Sequence, residues 1–311
     1  MFIDKLMNKV KEMRNPTVMG LDPRLDYVPS SIRKKNLQLY GNSFKAASES
    51  ILEFNKKLID AVADIIPAIK PQLAYYEMYG IDGLKAFEQT VMYGRKKGLL
   101  VIADGKRNDI GSTSQAYSSA YLGQTLLEED VWQAAYDVDA LTVNGYLGID
   151  GISPMIDDCI LHKKGIFILV KTSNPSSIQL QDIVVEDGRK VYEVVADLVS
   201  EWGKDLIGQC GYSSVGAVVG ATWPQQLKSL RKRMPHTCFL VPGYGAQGGG
   251  AKDVADAFDK EGLGAIINAS RSLMCAYKSK KYQDKYTENE FDIACRKEAI
   301  NMREELSNIL P

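Results

Sequence analysis

The chain reads as an α/β protein, a (β/α)8 barrel of the TIM type with extra N-terminal and C-terminal helices. Two observations predict it. Eight short apolar runs recur along the sequence, each closed by polar, Gly or Pro residues and followed by a helical pattern. The polar residues that end these runs fall where barrels keep their active sites, at the C-terminal ends of the strands. With no long linker or composition break in 311 residues, positions 1–311 are read as a single barrel domain.

The elements follow in order. Residues 1–13 place Phe2, Leu6, Val10 and Met13 at helical spacing among Asp4, Lys5, Lys9, Lys11 and Glu12. That predicts an amphipathic helix and neither a signal peptide nor a membrane span. The first strand, 16–21, ends in Asp22. A loop and a long helix, the latter over 43–63, fill 25–66 before the second strand at 68–69, which ends in Lys70. The third strand, 99–103, ends in Asp104, and the fourth, 140–143, in Asn144. The fifth, 166–170, ends in Lys171-Thr172-Ser173. A long excursion over 174–214 carries a turn at Asp187-Gly188 and an amphipathic helix over 191–202. The sixth strand, 215–219, ends in Thr222, and the seventh, 238–241, in Pro242. The eighth, 264–267, ends in Asn268-Ala269-Ser270-Arg271. The tail, 279–311, reads as helix packed outside the barrel.

Composition excludes several function classes. A net charge of -1 leaves no electrostatic footprint for nucleic acid or an anionic membrane. The basic runs Arg33-Lys34-Lys35 and Arg231-Lys232-Arg233 are short and read as solvated helix faces. No apolar run approaches the length that crosses a bilayer. Five scattered cysteines without a C-x-x-C argue for reduced thiols and a cytoplasmic protein. His162 and His236 adjoin no ligand cluster, which argues against a zinc site or a histidine triad.

The most informative stretch is Asp104-Gly105-Lys106-Arg107-Asn108-Asp109. Two carboxylates flank one lysine at the mouth of a site. On extended backbone, Asp104 and Lys106 point to the same side. A lysine held between anions keeps its proton and can donate it, or stabilise a developing negative charge. A second motif follows the seventh strand, where Gly243, Gly245 and Gly248 spell G-x-G-x-x-G. It comes too late in the chain for a dinucleotide fold, but it sits where a barrel binds phosphate, after strands seven and eight. Glycines let backbone amides approach the anion, and Arg271 beyond the eighth strand can hold it bidentately. The upstream glycine spacing of a P-loop is missing before Lys171-Thr172-Ser173.

Together these residues resemble the orotidine 5'-phosphate decarboxylase family, in its longer bacterial-type branch. The most specific parts are residues 104–110 and Pro242-Gly243-Tyr244-Gly245-Ala246-Gln247-Gly248-Gly249, with Thr172-Ser173-Asn174-Pro175 beside them. The resemblance implies cofactor-free, metal-free decarboxylation of orotidine 5'-phosphate to UMP in pyrimidine biosynthesis, by a homodimer with shared sites. It implies a charged array of Lys70, Asp104, Lys106 and Asp109, with Lys106 as proton donor. Asp109 and Thr113 would reach into the neighbouring subunit's site. Asp22 matches a ribose contact, Ser173 a pyrimidine contact, and Gln247 and Arg271 the phosphate grip. Two other readings stand beside it. A magnesium-dependent sugar-phosphate decarboxylase or aldolase of the same superfamily would carry an acidic residue at Lys70, for which Glu77 is a weak substitute. A non-catalytic phosphate-ligand binder would lack a member of the array.

Overall fold

The apolar runs form the eight parallel strands of a closed barrel in a computed structural model that describes residues 1–244 and 250–309. The strands are β1 (Thr17–Leu21), β2 (Ala68–Pro71), β3 (Leu100–Arg107), β4 (Ala140–Val143), β5 (Gly165–Lys171), β6 (Ser213–Val219), β7 (Thr237–Val241) and β8 (Ala265–Ala269). Each pairs with the next, and β8 closes on β1 through Val18 opposite Asn268.

Alternation along each strand explains why the runs carry no polar face. Val18, Ala68, Leu100, Ile102, Ala140, Phe167, Cys238, Leu240 and Ile266 belong to one buried cluster inside the barrel. Their strand neighbours Met19, Ile69, Val101, Leu141, Ile168, Phe239 and Ile267 belong to a second cluster beneath the helices. Both faces are buried, so both are apolar.

The helices are α1 (Phe2–Met13), α2 (Ser30–Tyr40), α3 (Phe44–Val62), α4 (Ala74–Glu77), α5 (Gly80–Lys96), α6 (Gly111–Tyr121), α7 (Ile149–His162), α8 (Ile178–Gln181), α9 (Val191–Gly203), α10 (Pro224–Arg233), α11 (Ala251–Val254), α12 (Arg271–Met274) and α13 (Phe291–Ser307). The amphipathic α1 buries Phe2, Ile3, Leu6, Met7 and Val10 in the interior cluster, with Phe2 edge-on to Phe167 at 6.2 Å. It covers the end where the strands begin and leaves the other end to chemistry. Ser43 caps α3, accepting from the Ala46 N–H at 3.2 Å. In the tail, α13 packs on α3, with Phe54 and Phe291 rings 4.8 Å apart.

Two expectations need correction, and one element, a hairpin, had no counterpart in the sequence reading. The segment 25–66 contains a second helix, α2. A small antiparallel hairpin, Thr125–Leu126 with Trp132–Gln133, stands between α6 and β4. The third strand does not end at Asp104 but runs on to Arg107, because Gln72 and the β4 backbone continue to pair with it.

Candidate active site

Beyond the apolar layer, the same alternation sends polar side chains to the mouth of the barrel. Two residues past Ala68 comes Lys70, past Ile102 Asp104, past Ala140 Thr142 and past Ile266 Asn268. On β1 this position is Gly20. A Cβ there would lie 2.0 Å from Ser270 Oγ and 3.0 Å from Asn268 Oδ1, so a side chain would have to displace Ser270.

Asp104 is the hub. Lys70 Nζ lies 2.5 Å from its Oδ2 and Lys106 Nζ 2.6 Å from its Oδ1. The Thr142 hydroxyl donates to the same Oδ1 at 2.8 Å. In the amide orientation that its surroundings require, Gln72 donates to Oδ2 at 2.6 Å. Burial opposes the charge on Asp104, yet the two ammonium groups outweigh it and hold the carboxyl well below its usual range. Burial likewise opposes the charge on Lys70, and the pull of Asp104, then Asp22, raises it above the ordinary lysine range. Both groups therefore remain ionised although both are buried.

Lys106 differs from Lys70. Its side chain is 44% exposed and its backbone is left-handed, at φ 47°. The extended backbone under which Asp104 and Lys106 would share a side does not hold at Lys106, yet its ammonium does meet Asp104. Five residues of β3, from Ala103 to Arg107, span three of β4, from Leu141 to Val143. The surplus turns Lys106 back over Asp104, and its N–H donates to Thr142 Oγ1 at 3.0 Å. Left-handed backbone costs a residue other than glycine about 1–2 kcal/mol. Such conformations persist where surrounding bonds over-determine them.

A cavity of about 400 Å³ opens beside the array, lined by Asp22, Lys70, Asp104, Gly243, Asn268 and Arg271, among others. Asp22 Oδ1 and Asn268 Oδ1 are buried without a hydrogen-bond partner among the described residues. Unpaired acceptors at a cavity wall suit a ligand that brings hydroxyl donors. Arg271 begins α12 and lines the same cavity. Gly245, Gln247 and Gly248 lie outside the described residues.

Lys106 meets the cavity only through Asp104, and neither it nor the remaining expected residues line the cavity. Asp109 does not flank Lys106 as a second carboxylate. Its Oδ1 instead accepts from the Ile110 N–H at 2.9 Å, beyond the irregular end of β3. Thr113 is exposed on the first turn of α6. Ser173 follows β5 on the same rim, its carbonyl accepting from Thr222 Oγ1 at 3.0 Å. Glu77 pairs with Arg107. No group of three or more His, Cys, Asp or Glu side chains that could hold a metal is gathered among the described residues.

Gln72 and Thr142 were missed in the sequence, and Asn268 was read only as the polar end of the eighth strand. Thr142 sits inside an apparently apolar run, and Gln72 lies past a strand's end. Counting in twos from the charged residues was the available signal, since Gln72 is two beyond Lys70.

Residues 44–286 match the model of the orotidine 5'-phosphate decarboxylase / HUMPS family. An orotidine 5'-phosphate decarboxylase of Rhodopirellula baltica is 43% identical over 305 residues, covering 98% of each chain. One of Caldicellulosiruptor bescii is 41% identical over 283 residues, 91% of this chain and 92% of that one. Among solved structures, the OMP decarboxylase of Leishmania donovani superposes with a TM-score of 0.71 at 27% identity, covering 99% of this chain and 98% of that one.

Proposed function

Because the chain belongs to the orotidine 5'-phosphate decarboxylase family, we propose that Lys106 is the proton donor in its reaction. That reaction is the decarboxylation of orotidine 5'-phosphate to UMP. The observation that carries the assignment is the Lys70–Asp104–Lys106 array, in which two ammonium groups take opposite oxygens of one buried carboxylate.

The bond from C6 to the carboxylate carbon breaks, and its electron pair stays on C6 in the ring plane. The pyrimidine π-system cannot delocalise that pair. A fixed ammonium beside C6 stabilises it and then transfers a proton to it, the role of Lys106. Lys106 regains its proton from solvent, so the balance is substrate plus a proton to UMP plus carbon dioxide. Asp104 faces the departing carboxylate. Two like charges about 4 Å apart repel by about 4 kcal/mol at an effective dielectric near 20, and that repulsion ends when carbon dioxide leaves. Lys70 keeps the array near charge balance. Asp22 serves the ribose, Ser173 the base, and Arg271 with Gly245, Gln247 and Gly248 the phosphate.

The reaction is read as cofactor-free. A divalent cation would need open carboxylate oxygens, and here both oxygens of Asp104 are engaged by lysines while Glu77 is engaged by Arg107. This disfavours the magnesium-dependent sugar-phosphate reading. The site is read as completed in a homodimer by Asp109 and Thr113 of the second subunit. Beside them, Ile110, Leu126 and Trp132 expose about half of their surface, an apolar face suited to a second copy. No described helix is long and apolar enough to cross a membrane. The five free thiols fit the reducing cytoplasm, where we place the chain.

Ultraviolet absorbance of the purified protein with orotidine 5'-phosphate, with and without EDTA, tests this reading. Turnover that survives exhaustive chelation is expected. Turnover lost on chelation and restored by magnesium would favour the sugar-phosphate reading.

A further inference from the structure

The second buried lysine of the barrel rim takes no part in the array. Lys171, the last residue of β5, is fully buried, and its ammonium bonds the Asp182 carboxylate and donates to Ser177 Oγ at 3.2 Å. It lies 5.0 Å from the centre of the Trp223 ring and 5.5 Å from that of Tyr192. A buried ammonium persists only when it is paired, and these are its partners.

Those partners belong to the excursion that follows β5 and to the helices that flank it. In the segment 174–190, all of it described, Ser177 is the one buried residue, while Ile178, Leu180, Ile183 and Val184 are exposed. Apolar burial therefore does not hold the excursion down. Polar ties do, and they converge on the two residues after Lys171. Gln181 accepts from the Thr172 N–H at 3.0 Å and donates to Thr172 Oγ1 at 2.8 Å. The Trp223 indole N–H donates to the Thr172 carbonyl at 3.0 Å, and Thr222 to that of Ser173. Behind Ser173 stands Gly220, where a Cβ would come within 2.8 Å of the Ser173 backbone.

We propose that Lys171 is a positioning residue for the base end of the site: by clamping Asp182 and Ser177 it pins the excursion, and with it Ser173, where the pyrimidine docks. The inference rests on the assignment of Ser173 to the base. It predicts that the clamp governs affinity for the base and leaves the ribose phosphate end untouched.

The experiment compares wild type with Lys171→Met, Asp182→Asn and Ser173→Ala, each checked for folding by circular dichroism. Calorimetry measures binding of UMP and of ribose 5-phosphate, which lacks a base. Lys171→Met should weaken UMP by up to about tenfold, the loss of roughly one neutral hydrogen bond between Ser173 and the base, and leave ribose 5-phosphate unchanged. In turnover it should raise KM more than it lowers kcat. Asp182→Asn, whose Asp182 also receives Lys190 at 3.0 Å, should reproduce the effect, and stands in if Lys171→Met does not fold. In a Ser173→Ala background neither variant should weaken UMP further. Equal losses on both ligands, or unchanged UMP binding in the folded variants, would overturn the clamp. A wild type unable to decarboxylate orotidine 5'-phosphate would instead overturn the function itself.

Discussion

The Thr142 hydroxyl stands 2.8 Å from Asp104 Oδ1 and donates to it, while the same hydroxyl oxygen accepts from the Lys106 N–H at 3.0 Å. One small side chain thus ties the carboxylate of the array to the backbone of the proton donor. It also holds Lys106 in its left-handed conformation.

Thr142→Val keeps the shape and removes both bonds. A hydrogen bond to a charged group is worth about 1.5–3 kcal/mol. Since about 1.4 kcal/mol is tenfold in rate, kcat should fall by roughly ten- to a hundredfold with the fold retained. Steady-state absorbance on orotidine 5'-phosphate measures it, and an unchanged kcat would remove Thr142 from the array.

Lys106→Ala should abolish turnover and leave UMP binding measurable, because the phosphate and ribose contacts lie elsewhere. Its exposed, non-interior side chain makes a folding defect the lesser consequence. Substantial residual activity in the variant would exclude Lys106 as the donor.

The pH dependence of stability follows from the array. Asp104 has a depressed folded pKa. Its contribution is complete above the ordinary carboxylate value of about 3.9, and fades as pH falls through the lower folded value. Lys70 has a raised folded pKa, so its contribution is complete below the ordinary lysine value of about 10.4 and fades as pH rises through the folded one. The stability gap between wild type and Asp104→Asn should shrink as pH falls below about 4. Denaturant titrations at several pH values check this, and a gap that widens in acid would contradict it.

Mixing inactive Lys106→Ala with inactive Asp109→Ala should restore activity after subunit exchange. Each mixed dimer would hold one doubly damaged site and one site with both residues intact. If native mass spectrometry confirms exchange and no activity returns, Asp109 does not act across the interface.

Arg271→Ala should cost about tenfold or more in kcat/KM on the nucleotide, from the loss of charged hydrogen bonds to phosphate. Turnover of the phosphate-free nucleoside should barely change, since that substrate never makes the contact. Equal losses on both substrates would assign Arg271 to the fold.

The sequence by itself determined the barrel, because eight runs buried on both faces can be satisfied only by parallel strands covered by helices. It also determined which residues crowd the rim, since Lys70, Asp104, Lys106 and Arg271 all follow apolar runs. Only the tertiary structure decided who meets whom. Register across neighbouring strands places Gln72 beside Asp104 and Thr142 on its other side, and no local pattern in one strand encodes its neighbour's register. The surplus residues of β3 turned Lys106 back onto Asp104 and left Asp109 outside, a consequence of pairing with β4 that spacing along the chain does not reveal. Lys171 looked like one more polar residue after a strand. Its burial between Asp182, Tyr192 and Trp223 required two helices and an excursion to fold over it.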